Sequence, residues 1–496
     1  MQNIFYDTRI LDSECRTNYS LSEECMMENA AVGLEEAVLQ KDCHHVFIFC
    51  GGGNNGADGY ALARRLSCLR EVRTITVATP KSELCRLQCE RAKKCKVPAL
   101  SLKEFKESAL PKNEECIFVD CIFGTGFHGS LDEECAALVR MLNKCRAYKI
   151  ACDVPSGLAL DGSINGETFR SDTTVCMGSL KTCLFSDAAK DFAGRLTVKD
   201  LGVSRTLFET CSQKPDALLL EEKDLSLPHR KMQNVNKGSF GHVACLAGEK
   251  PGAAVIAASA ALQFGAGLVT IVSPSEQGNI NSVPYEIMQS GEFPQNTSTI
   301  ALGMGLGHDE DRIKKIYAFL EARPELSCVL DAAICYTKLT SRFLHSRISS
   351  AGGTVITPHP KEFSALLSVC GLGDYSVNEV AQQRFDLVRK FCSEFPNVVL
   401  VLKGANVLVA CKKEKGDILI FVNDKGSPSL GKAGSGDVLT GLTAALLAQK
   451  QEALTAAKNA SLAHALASRL VQPDYSLTPF KLIDAVSALS ETYPEK

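Results

Sequence analysis

Residues 431–441 read GKAGSGDVLTG, and this stretch is the strongest local signal for the fold and chemistry of the chain. Its small residues lead directly into an apolar helix, so free backbone N–H groups converge at the positive end of that helix. An oxyanion or a phosphoryl group in transfer suits that point. Asp437 stands at the helix start, where it can accept a proton from a hydroxyl. For an isolated stretch of this kind, the alternative is a loop closed by an N-capping aspartate.

Neighbouring segments of the second half carry residues of matching chemistry. One apolar run ends at Lys403-Gly404-Ala405-Asn406, a cation and a glycine suited to nucleotide phosphates. Another ends at residues 358–362, where His359 could contact substrate and Glu362 could order Mg²⁺ through water. A rigid turn is the alternative for a histidine between two prolines. A third run ends at Gly303-Met304-Gly305-Leu306-Gly307, and Gly252-Ala253-Ala254 opens an alanine-rich helix that permits close ligand approach.

Short apolar runs recur through the whole chain, each followed by a polar or glycine-rich loop and a helix-like segment. Because they are apolar on both faces and separated by helical lengths, they predict central strands of parallel sheets. Ligands bind beyond the carboxyl ends of such strands, so functional residues are expected in the loops there. The runs are residues 46–50, 74–78, 117–119 and 149–152 in the first half, and 242–246, 268–272, 299–302, 328–330, 353–357, 398–402 and 418–422 in the second.

Length and composition predict a two-domain cytoplasmic α/β protein. A chain of 496 residues exceeds one ordinary core, and the polar, charged text between residues 201 and 241 predicts a domain boundary. With 22% charged residues and a net charge of −3, neither nucleic acid nor a membrane surface is an expected partner. No apolar stretch spans a bilayer and no signal core opens the chain. The 22 cysteines form no C-x-x-C and sit beside apolar runs, which indicates reduced structural thiols.

In the first half, the run at residues 46–50 leads into a glycine-rich loop, GGGNNGADG at residues 51–59, before a helix-like segment that begins at Tyr60. Successive glycines let the backbone approach a ligand closely, and a helix amino terminus favours an anionic group. The pattern is not G-x-G-x-x-G, so a hydride-transfer site is not implied. A glycine-rich turn without a ligand is the alternative.

Carboxylates follow two more strands of the first half. Asp120 follows residues 117–119, and Asp153 follows residues 149–152. A carboxylate at the end of a buried strand normally serves a cation, a hydroxyl or a proton transfer, although a lone aspartate there is often a helix cap. Together with Asn55 and Ser156 they form an all-oxygen set suited to a hard cation.

Five segments of the first half resemble the YjeF amino-terminal family, the NAD(P)H-hydrate epimerases. They are Met27-Glu28-Asn29, GGGNNGADGY, VDCIFGTGFHG, CDVPSGL and SLKTCLF, spread over about residues 26–203. The resemblance implies a Rossmann-like αβα domain at residues 1–222. It also implies potassium ligands at Asn55, Asp120 and Ser156, and an acid/base aspartate at Asp153. His128 occupies a position where some members have lysine; it could relay a proton, and a solvent-facing loop histidine is the alternative.

The same resemblance implies contacts to a hydrated nicotinamide nucleotide. Two positions depart from the family pattern: Ala57 replaces a glycine, and residues 186–188 replace Gly-Pro-Gly. The implied substrate contacts are Asn54, Asn55, Gly56, Ala57, Asp58, Gly124, Thr125, Gly126, Phe127, His128, Gly129, Ser130 and Asp153.

The second half resembles the ribokinase-like ADP-dependent NAD(P)H-hydrate dehydratases of the YjeF carboxy-terminal family. The matching text is NKGSFGHV, PGAAVIAASAALQFGAGLV, GMGLG, LDA, TPHPKEF, LKGAN and AGSGDVLTG, over about residues 228–482. The resemblance implies a ribokinase-like αβα domain at residues 223–496 that uses ADP with Mg²⁺. It implies phosphorylation of the ring hydroxyl and then elimination of phosphate, which restores NADH or NADPH.

This second resemblance also implies site residues. Ala333, Lys361 and Val407 depart from residues common in the family, and Val407 loses a hydroxyl near the nucleotide. Substrate contacts are implied at Ala253, Gly307, His359 and Asp437, the last of these as catalytic base. Nucleotide contacts are implied at Lys403, Gly404, Ala405, Asn406, Val407, Gly434, Ser435 and Gly436.

Together the halves predict a bifunctional repair enzyme for NADHX and NADPHX, with a homo-oligomer as its expected assembly. Two alternatives stay open. The chain could be a ribokinase-fold kinase of a small vitamin-precursor alcohol, which would leave the first half unexplained. It could instead be a dehydratase whose first domain binds nucleotide without catalysis, a reading that Ala57 and His128 leave open.

Overall fold

The computed structural model describes residues 1–108, 116–211, 214–273, 280–307, 309–413 and 416–493. The chain divides into two compact units, one of residues 2–217 and the other of residue 1 with residues 218–496. Both units are α/β, each with helices on the faces of a largely parallel sheet.

The first unit contains a seven-stranded parallel sheet in the order β4-β3-β2-β5-β6-β7-β9. A separate short parallel pair joins β1 to β8. The elements of this unit are β1 (Gln2–Phe5), α1 (Arg9–Tyr19), α2 (Glu23–Leu39), β2 (His45–Cys50), α3 (Asn54–Leu66), β3 (Glu71–Thr76), α4 (Glu83–Lys94), β4 (Ala99–Ser101), α5 (Leu102–Glu107), β5 (Cys116–Cys121), α6 (Glu133–Lys144), β6 (Tyr148–Cys152), β7 (Thr173–Met177), β8 (Leu180–Lys181), β9 (Arg195–Lys199) and α7 (Arg205–Glu209).

Apolar residues on both faces of β2 explain why this sheet is covered on both sides. Val46 and Ile48 belong to a core cluster with residues of α2 and α3. Phe47 and Phe49 point to the opposite face, where they belong to a second cluster with residues of α5 and α6. Successive side chains of a strand alternate between the faces, so one apolar run supplies both cores.

The second unit contains a sheet in the order β13-β12-β11-β14-β15-β16-β17-β18-β19-β10. Within it, β18 is antiparallel to both of its neighbours, β17 and β19. The elements are β10 (Ala217–Leu219), β11 (His242–Leu246), α8 (Pro251–Gln263), β12 (Leu268–Val272), β13 (Met288–Ser290), β14 (Thr299–Leu302), α9 (Glu310–Glu321), β15 (Ser327–Leu330), α10 (Leu339–Arg347), β16 (Thr354–Ile356), α11 (Pro360–Val369), α12 (Val377–Gln382), α13 (Arg384–Glu394), β17 (Val398–Leu402), β18 (Val407–Lys412), β19 (Ile418–Asn423), α14 (Ser435–Ala448), α15 (Ala453–Leu470) and α16 (Pro479–Thr492).

Close packing of α8 against α14 fixes the glycine loop at the start of α14. A Cβ at Gly441 would lie 2.2 Å from the Ala257 carbonyl oxygen, so only glycine allows the two backbones to approach this closely. Both helices are rich in alanine and contribute to one buried cluster with α15 and α16. On the opposite face, α13 packs against β17 and β18.

Two expectations about local structure are wrong. The first helix after β2 begins at Asn54 and not at Tyr60, so residues 54–58 form its first turns rather than a loop. Asp120 lies within β5, whose last residue is Cys121, and not beyond the strand. In both cases the regular element extends into polar residues that periodicity alone does not include.

The cysteines form no disulfide bonds. All 22 cysteines are free thiols, and more than half of them are buried. Across the described ranges, no cluster of three or more His, Cys, Asp or Glu side chains is arranged to hold a metal ion. Within those same ranges, no helix is long and apolar enough to cross a bilayer.

Candidate active sites

A cavity of about 820 Å³ opens at the carboxyl ends of β2, β5 and β6 in the first unit. Its wall includes eight of the residues that sequence assigned to substrate: Asn54, Asn55, Asp58, Gly124, Thr125, Gly126, Phe127 and Asp153. Gly56 and Ala57 are buried behind this wall. His128, Gly129 and Ser130 are exposed and are absent from the residues that line the cavity.

The first turn of α3 requires glycine at one position and tolerates alanine at the next. A Cβ at Gly56 would lie 2.0 Å from the Gly51 carbonyl oxygen, a separation that no side chain can adopt. The Ala57 methyl group is fully buried in the core cluster beside α2. The methyl group at Ala57 therefore adds packing to the core and does not narrow the cavity.

Asn55 and Ser156 converge on the backbone carbonyl of Phe123, and Asp120 is hydrogen-bonded to Ser156. The Asn55 Nδ2 atom donates to the Phe123 oxygen at 2.9 Å, and the Ser156 hydroxyl lies 3.4 Å from it. Asp120 is fully buried and accepts from the Ser156 hydroxyl at 2.6 Å and from the Ser156 amide at 2.8 Å. Burial raises the pKa of Asp120 to about 6, although these hydrogen bonds oppose the shift. The carboxylate, hydroxyl and carbonyl oxygens brought together here are of the type that hard cations prefer.

Asp153 forms an ion pair that sequence reasoning missed. The Lys181 Nζ atom lies 2.5 Å from Asp153 Oδ1, and both side chains line the cavity. Asp12, on α1, lines the same cavity, and burial raises its pKa to about 6. Asp58 faces it as well, and burial followed by the charge of Asp153 raises the pKa of Asp58 well above its usual range.

In the second unit, Asp437 lies in the first turn of α14, beside a buried network of charged groups. The Lys403 Nζ atom lies 2.9 Å from Asp331 Oδ1 and 3.6 Å from Glu362 Oε2. The Thr440 hydroxyl donates to Asp331 Oδ2 at 3.1 Å. Burial, reinforced by the negative charge of Asp331, raises the pKa of Asp437 to about 7. A carboxyl with that pKa suits a general base near neutral pH.

The two predicted nucleotide segments meet at this network. A Cβ at Gly436 would lie 3.3 Å from Lys403 Nζ, so the glycine loop faces the lysine directly. Gly404 and Ala405 lie in the turn of the hairpin between β17 and β18, Asn406 is buried, and Val407 begins β18. The His464 Nε2 atom lies 2.8 Å from the Ser435 carbonyl oxygen and ties the glycine loop to α15. Burial lowers the pKa of His464 to about 4, so this ring is neutral at physiological pH.

The predicted substrate contacts of the second unit lie on neighbouring segments. His359 caps the amino terminus of α11, and its Nε2 atom lies 3.1 Å from Glu362 Oε1. Ala253 lies in the first turn of α8, against the glycine loop that follows β14. Gly307 ends that loop with φ +77°, and a Cβ there would lie 2.2 Å from Glu249 Oε1.

Similarity to known proteins was found over both units. Residues 23–183 match the family described as YjeF-related protein N-terminus, and residues 243–488 match NAD(P)H-hydrate dehydratase. A bifunctional NAD(P)H-hydrate repair enzyme of Helicobacter pylori is 41% identical, covering 99% of this chain and 100% of its own length. The chain belongs to the bifunctional NAD(P)H-hydrate repair enzyme family.

Two further proteins are similar to the chain at lower identity. The bifunctional repair enzyme of Coxiella burnetii is 30% identical over 90% of this chain and 90% of its own length. An ADP/ATP-dependent NAD(P)H-hydrate dehydratase from Bacillus subtilis, crystallised with ATP and Mg²⁺, is 24% identical with a TM-score of 0.47. That structure covers 56% of this chain and 98% of its own.

Three polar residues of this repair enzyme contact the predicted sites, although the sequence did not indicate them as site residues. Lys181 and Asp331 each belong to a segment that carried the family resemblance, SLKTCLF and LDA. Asp12 belongs to the amino-terminal segment, for which sequence gave no signal. The available signal for Lys181 and Asp331 was a charged residue inside an apolar run, which is costly to bury unless it is paired.

We expect Gly434→Ala to lower the free energy of unfolding of this repair enzyme by about 1–3 kcal/mol. Gly434 has φ +90°, and a Cβ there would lie 2.5 Å from Pro479 Cγ. Urea denaturation of the variant measures the loss. Gly426→Ala is the matched control, because its Cβ would lie 3.5 Å from Leu430 Cδ1, an ordinary contact, and its φ is outside the left-handed region. Equal stability of the two variants would contradict the prediction.

Proposed function

We propose that the first unit interconverts (R)- and (S)-NAD(P)HX and that the second dehydrates (S)-NAD(P)HX with ADP, giving NAD(P)H, AMP and phosphate. The observation that carries the proposal is the placement of Asp437. Asp437 follows the glycine loop in the first turn of α14, close enough to Asp331 and Lys403 for their charges to act on its carboxyl, and Lys403 faces that loop. Membership of the bifunctional repair enzyme family supports pairing this site with a separate epimerase unit.

In the second unit, Asp437 takes the proton of the ring hydroxyl as the hydroxyl oxygen attacks the terminal phosphorus of ADP. The bond from that phosphorus to the bridging oxygen breaks, and AMP leaves. Phosphate is then eliminated from the ring while the neighbouring carbon loses a proton, which restores the double bond. Phosphate is a far better leaving group than hydroxide, so a kinase fold can run a dehydration.

We assign the other groups of this site by chemistry. Lys403 and the amides of Gly434, Ser435 and Gly436 would bind the phosphates of ADP, with residues 404–407 along the nucleotide. The ring would lie between Ala253, Gly307 and His359. Asp331 and Glu362 supply the carboxylate oxygens that hydrated Mg²⁺ prefers, and Glu362 would help to hold it. Bound Mg²⁺ supplies charge neutralisation at the phosphates.

In the first unit, residues 54–58 and 124–130 would hold the hydrated nucleotide, and Asp153 would act as acid/base. Asn55, Asp120 and Ser156 would bind K⁺, which supplies positive charge that offsets the buried Asp120 carboxylate. The oxygens of Asp120, Ser156 and the Phe123 carbonyl, which lie together, are ligands of the kind that such an ion takes. His128 is exposed, and its role as a proton relay stays a prediction.

The test is an incubation of the purified chain with mixed NADHX epimers and ADP, followed by the absorbance of restored NADH. Recovery of both epimers supports the proposal. Recovery of the (S) fraction alone, beyond spontaneous epimerisation, would leave the first unit as a non-catalytic nucleotide-binding domain. No recovery, with phosphorylation of a hydroxymethylpyrimidine or thiazole alcohol, would favour the kinase. Sedimentation equilibrium of the same preparation checks the expected homo-oligomer.

We expect the dehydration rate at saturating substrate to fall as pH decreases through about 7. Burial and Asp331 raise the pKa of Asp437 to about 7, and only the ionised carboxylate can accept the hydroxyl proton. The base is therefore present above that pH and lost below it. A pH profile of kcat for (S)-NADHX with ADP measures the acid limb. A limb near pH 4, the ordinary range of an aspartate, would contradict the role of Asp437.

A further inference from the structure

We propose that Lys181 is a positioning residue for the epimerisation assigned to the first unit. Its buried ammonium holds one oxygen of Asp153 and leaves the other oxygen for the ring hydroxyl. The inference rests on the proposed function of that unit.

The contacts of Lys181 assign it this role rather than that of a proton donor. Its side chain is 1% exposed. The Nζ atom lies 2.5 Å from Asp153 Oδ1 and 3.3 Å from the carbonyl oxygens of both Met177 and Ser179. An ammonium has three N–H donors, and three acceptors are present. No donor is left for the substrate, so Lys181 acts through Asp153.

Asp153 presents its two oxygens to different partners. Oδ1 accepts from Lys181 and from the Met177 amide at 3.0 Å. Oδ2 has no hydrogen bond to any described residue, and the side chain lines the cavity. The carboxylate is thus held at one oxygen and free at the oxygen that a ligand can reach.

The backbone conformation at Asp153 also holds its carboxylate in a fixed position. Its φ is +66°, in the left-handed region, which costs a non-glycine residue about 1–3 kcal/mol. Its amide donates to the Val175 carbonyl oxygen at 2.8 Å, which pins the residue to β7. This conformation brings the carboxylate to the turn between β7 and β8, where Lys181 is anchored.

Charge in the cavity explains why a buried cation is needed. Asp12, Asp58 and Asp153 all line the cavity, whereas its arginines Arg9 and Arg16 pair, within the described part of the chain, with Asp7 and Glu23. The nearby carboxylates raise the pKa of Lys181 although burial opposes them, so the ammonium stays charged. The titratable groups that face the Lys181–Asp153 pair are Asp7, Asp12, Asp58, Cys152, Cys176 and Cys183.

Two carboxyl groups are enough for the proton transfers of the epimerisation. Water added to the nicotinamide ring places the hydroxyl on a carbon bonded to the ring nitrogen. Asp153 Oδ2 takes the hydroxyl proton, the carbon–nitrogen bond breaks with its electron pair going to nitrogen, and Asp58 supplies a proton to that nitrogen. The open aldehyde rotates, and nitrogen then attacks its other face. Ring closure returns both protons and gives the opposite epimer.

The experiment compares Lys181→Met and Lys181→Arg in the full chain. Conversion of (R)- to (S)-NADHX is followed by chromatography without ADP, so that the second unit is idle. We expect Lys181→Met to lower kcat by about 30-fold or more, with KM changed less than about threefold, because the loss lies in the reacting state. Its acid limb should move up by about one to two pH units, since the partly buried Asp153 carboxylate has lost its opposite charge.

Lys181→Arg retains the charge but displaces the donor. We expect Lys181→Arg to have a lower kcat and an acid limb close to that of the wild type. A lysine with a purely structural role would not give this combination. Lys149→Met is the matched control, because Lys149 is also buried and, among the described residues, its Nζ atom donates only to the carbonyl oxygens of Cys145 and Ala147, outside the cavity. ADP-dependent recovery of NADH from (S)-NADHX and the melting temperature report folding of each variant.

The outcomes separate the inference from the function on which it rests. A wild-type chain that does not exceed the spontaneous epimerisation rate overturns both. In an active chain, Lys181→Met with wild-type kcat and acid limb overturns the role of Lys181 alone. If Lys181→Met does not fold, Lys181→Arg decides, because an acid limb displaced despite the retained charge also overturns it.

Discussion

Asp437→Asn is expected to lower ADP-dependent recovery of NADH from (S)-NADHX by about 10³-fold, because removal of a general base typically costs about 10²–10⁴-fold. Asparagine keeps the size of the side chain but cannot accept the hydroxyl proton. The glycine loop and Lys403 remain in place, so ADP should still bind. Single-turnover absorbance measures the rate, and isothermal titration measures ADP affinity.

The Asp437 prediction has a matched control in Asp484→Asn, an exposed aspartate on α16 of the same unit. That variant should keep the wild-type rate. Retained turnover in Asp437→Asn would remove Asp437 from its role as base. Loss of turnover together with loss of ADP affinity would instead point to damage of the nucleotide site.

Asp153→Asn is expected to slow epimerisation in the first unit by about 10²–10⁴-fold, because asparagine cannot act as general acid/base. Asparagine is the suitable replacement because it tolerates the left-handed backbone at φ +66°, which most residues do not. Turnover of (S)-NADHX should stay within about twofold, since Asp437 lies in a unit with its own core.

Chromatography of the epimers without ADP measures the first rate for Asp153→Asn, and ADP-dependent absorbance measures the second. Asp161→Asn is the control, an exposed aspartate of the same unit whose Oδ1 accepts from the Ser163 amide. Slowed (S) turnover in Asp153→Asn would argue against independent sites. Unchanged epimerisation would remove Asp153 as acid/base.

Most strands could be read from the chain because burial on both faces leaves a continuous apolar run. The runs at residues 242–246, 268–272, 299–302 and 398–402 match β11, β12, β14 and β17 residue for residue. Polar or mixed strands were missed, among them β9, which begins at an exposed arginine. Strand β18 was also missed, because its apolar run follows β17 too closely for a helical connection.

The candidate sites were predictable only where the signal is local. The glycine loop before Asp437 and the turn before α3 depend on small residues in sequence, and these can be read directly. The ion pairs cannot be read from the sequence in this way. Lys181 lies 28 residues from Asp153, and Lys403 lies 72 residues from Asp331, so each pairing exists only in the folded chain. A buried charge indicates that a partner exists, but its identity depends on the fold.

The antiparallel strand β18 limits how the nucleotide segment can vary. Leu402 pairs with Leu408 and Leu400 with Ala410, so residues 403–407 close a short hairpin. Side chains alternate along a strand, so an inserted residue that shifted the register by one would turn every buried side chain of β18 to the other face. A loop before a helix can absorb insertions that this hairpin cannot. If residues 403–407 contact the nucleotide as proposed, related chains should vary there by substitution rather than by length.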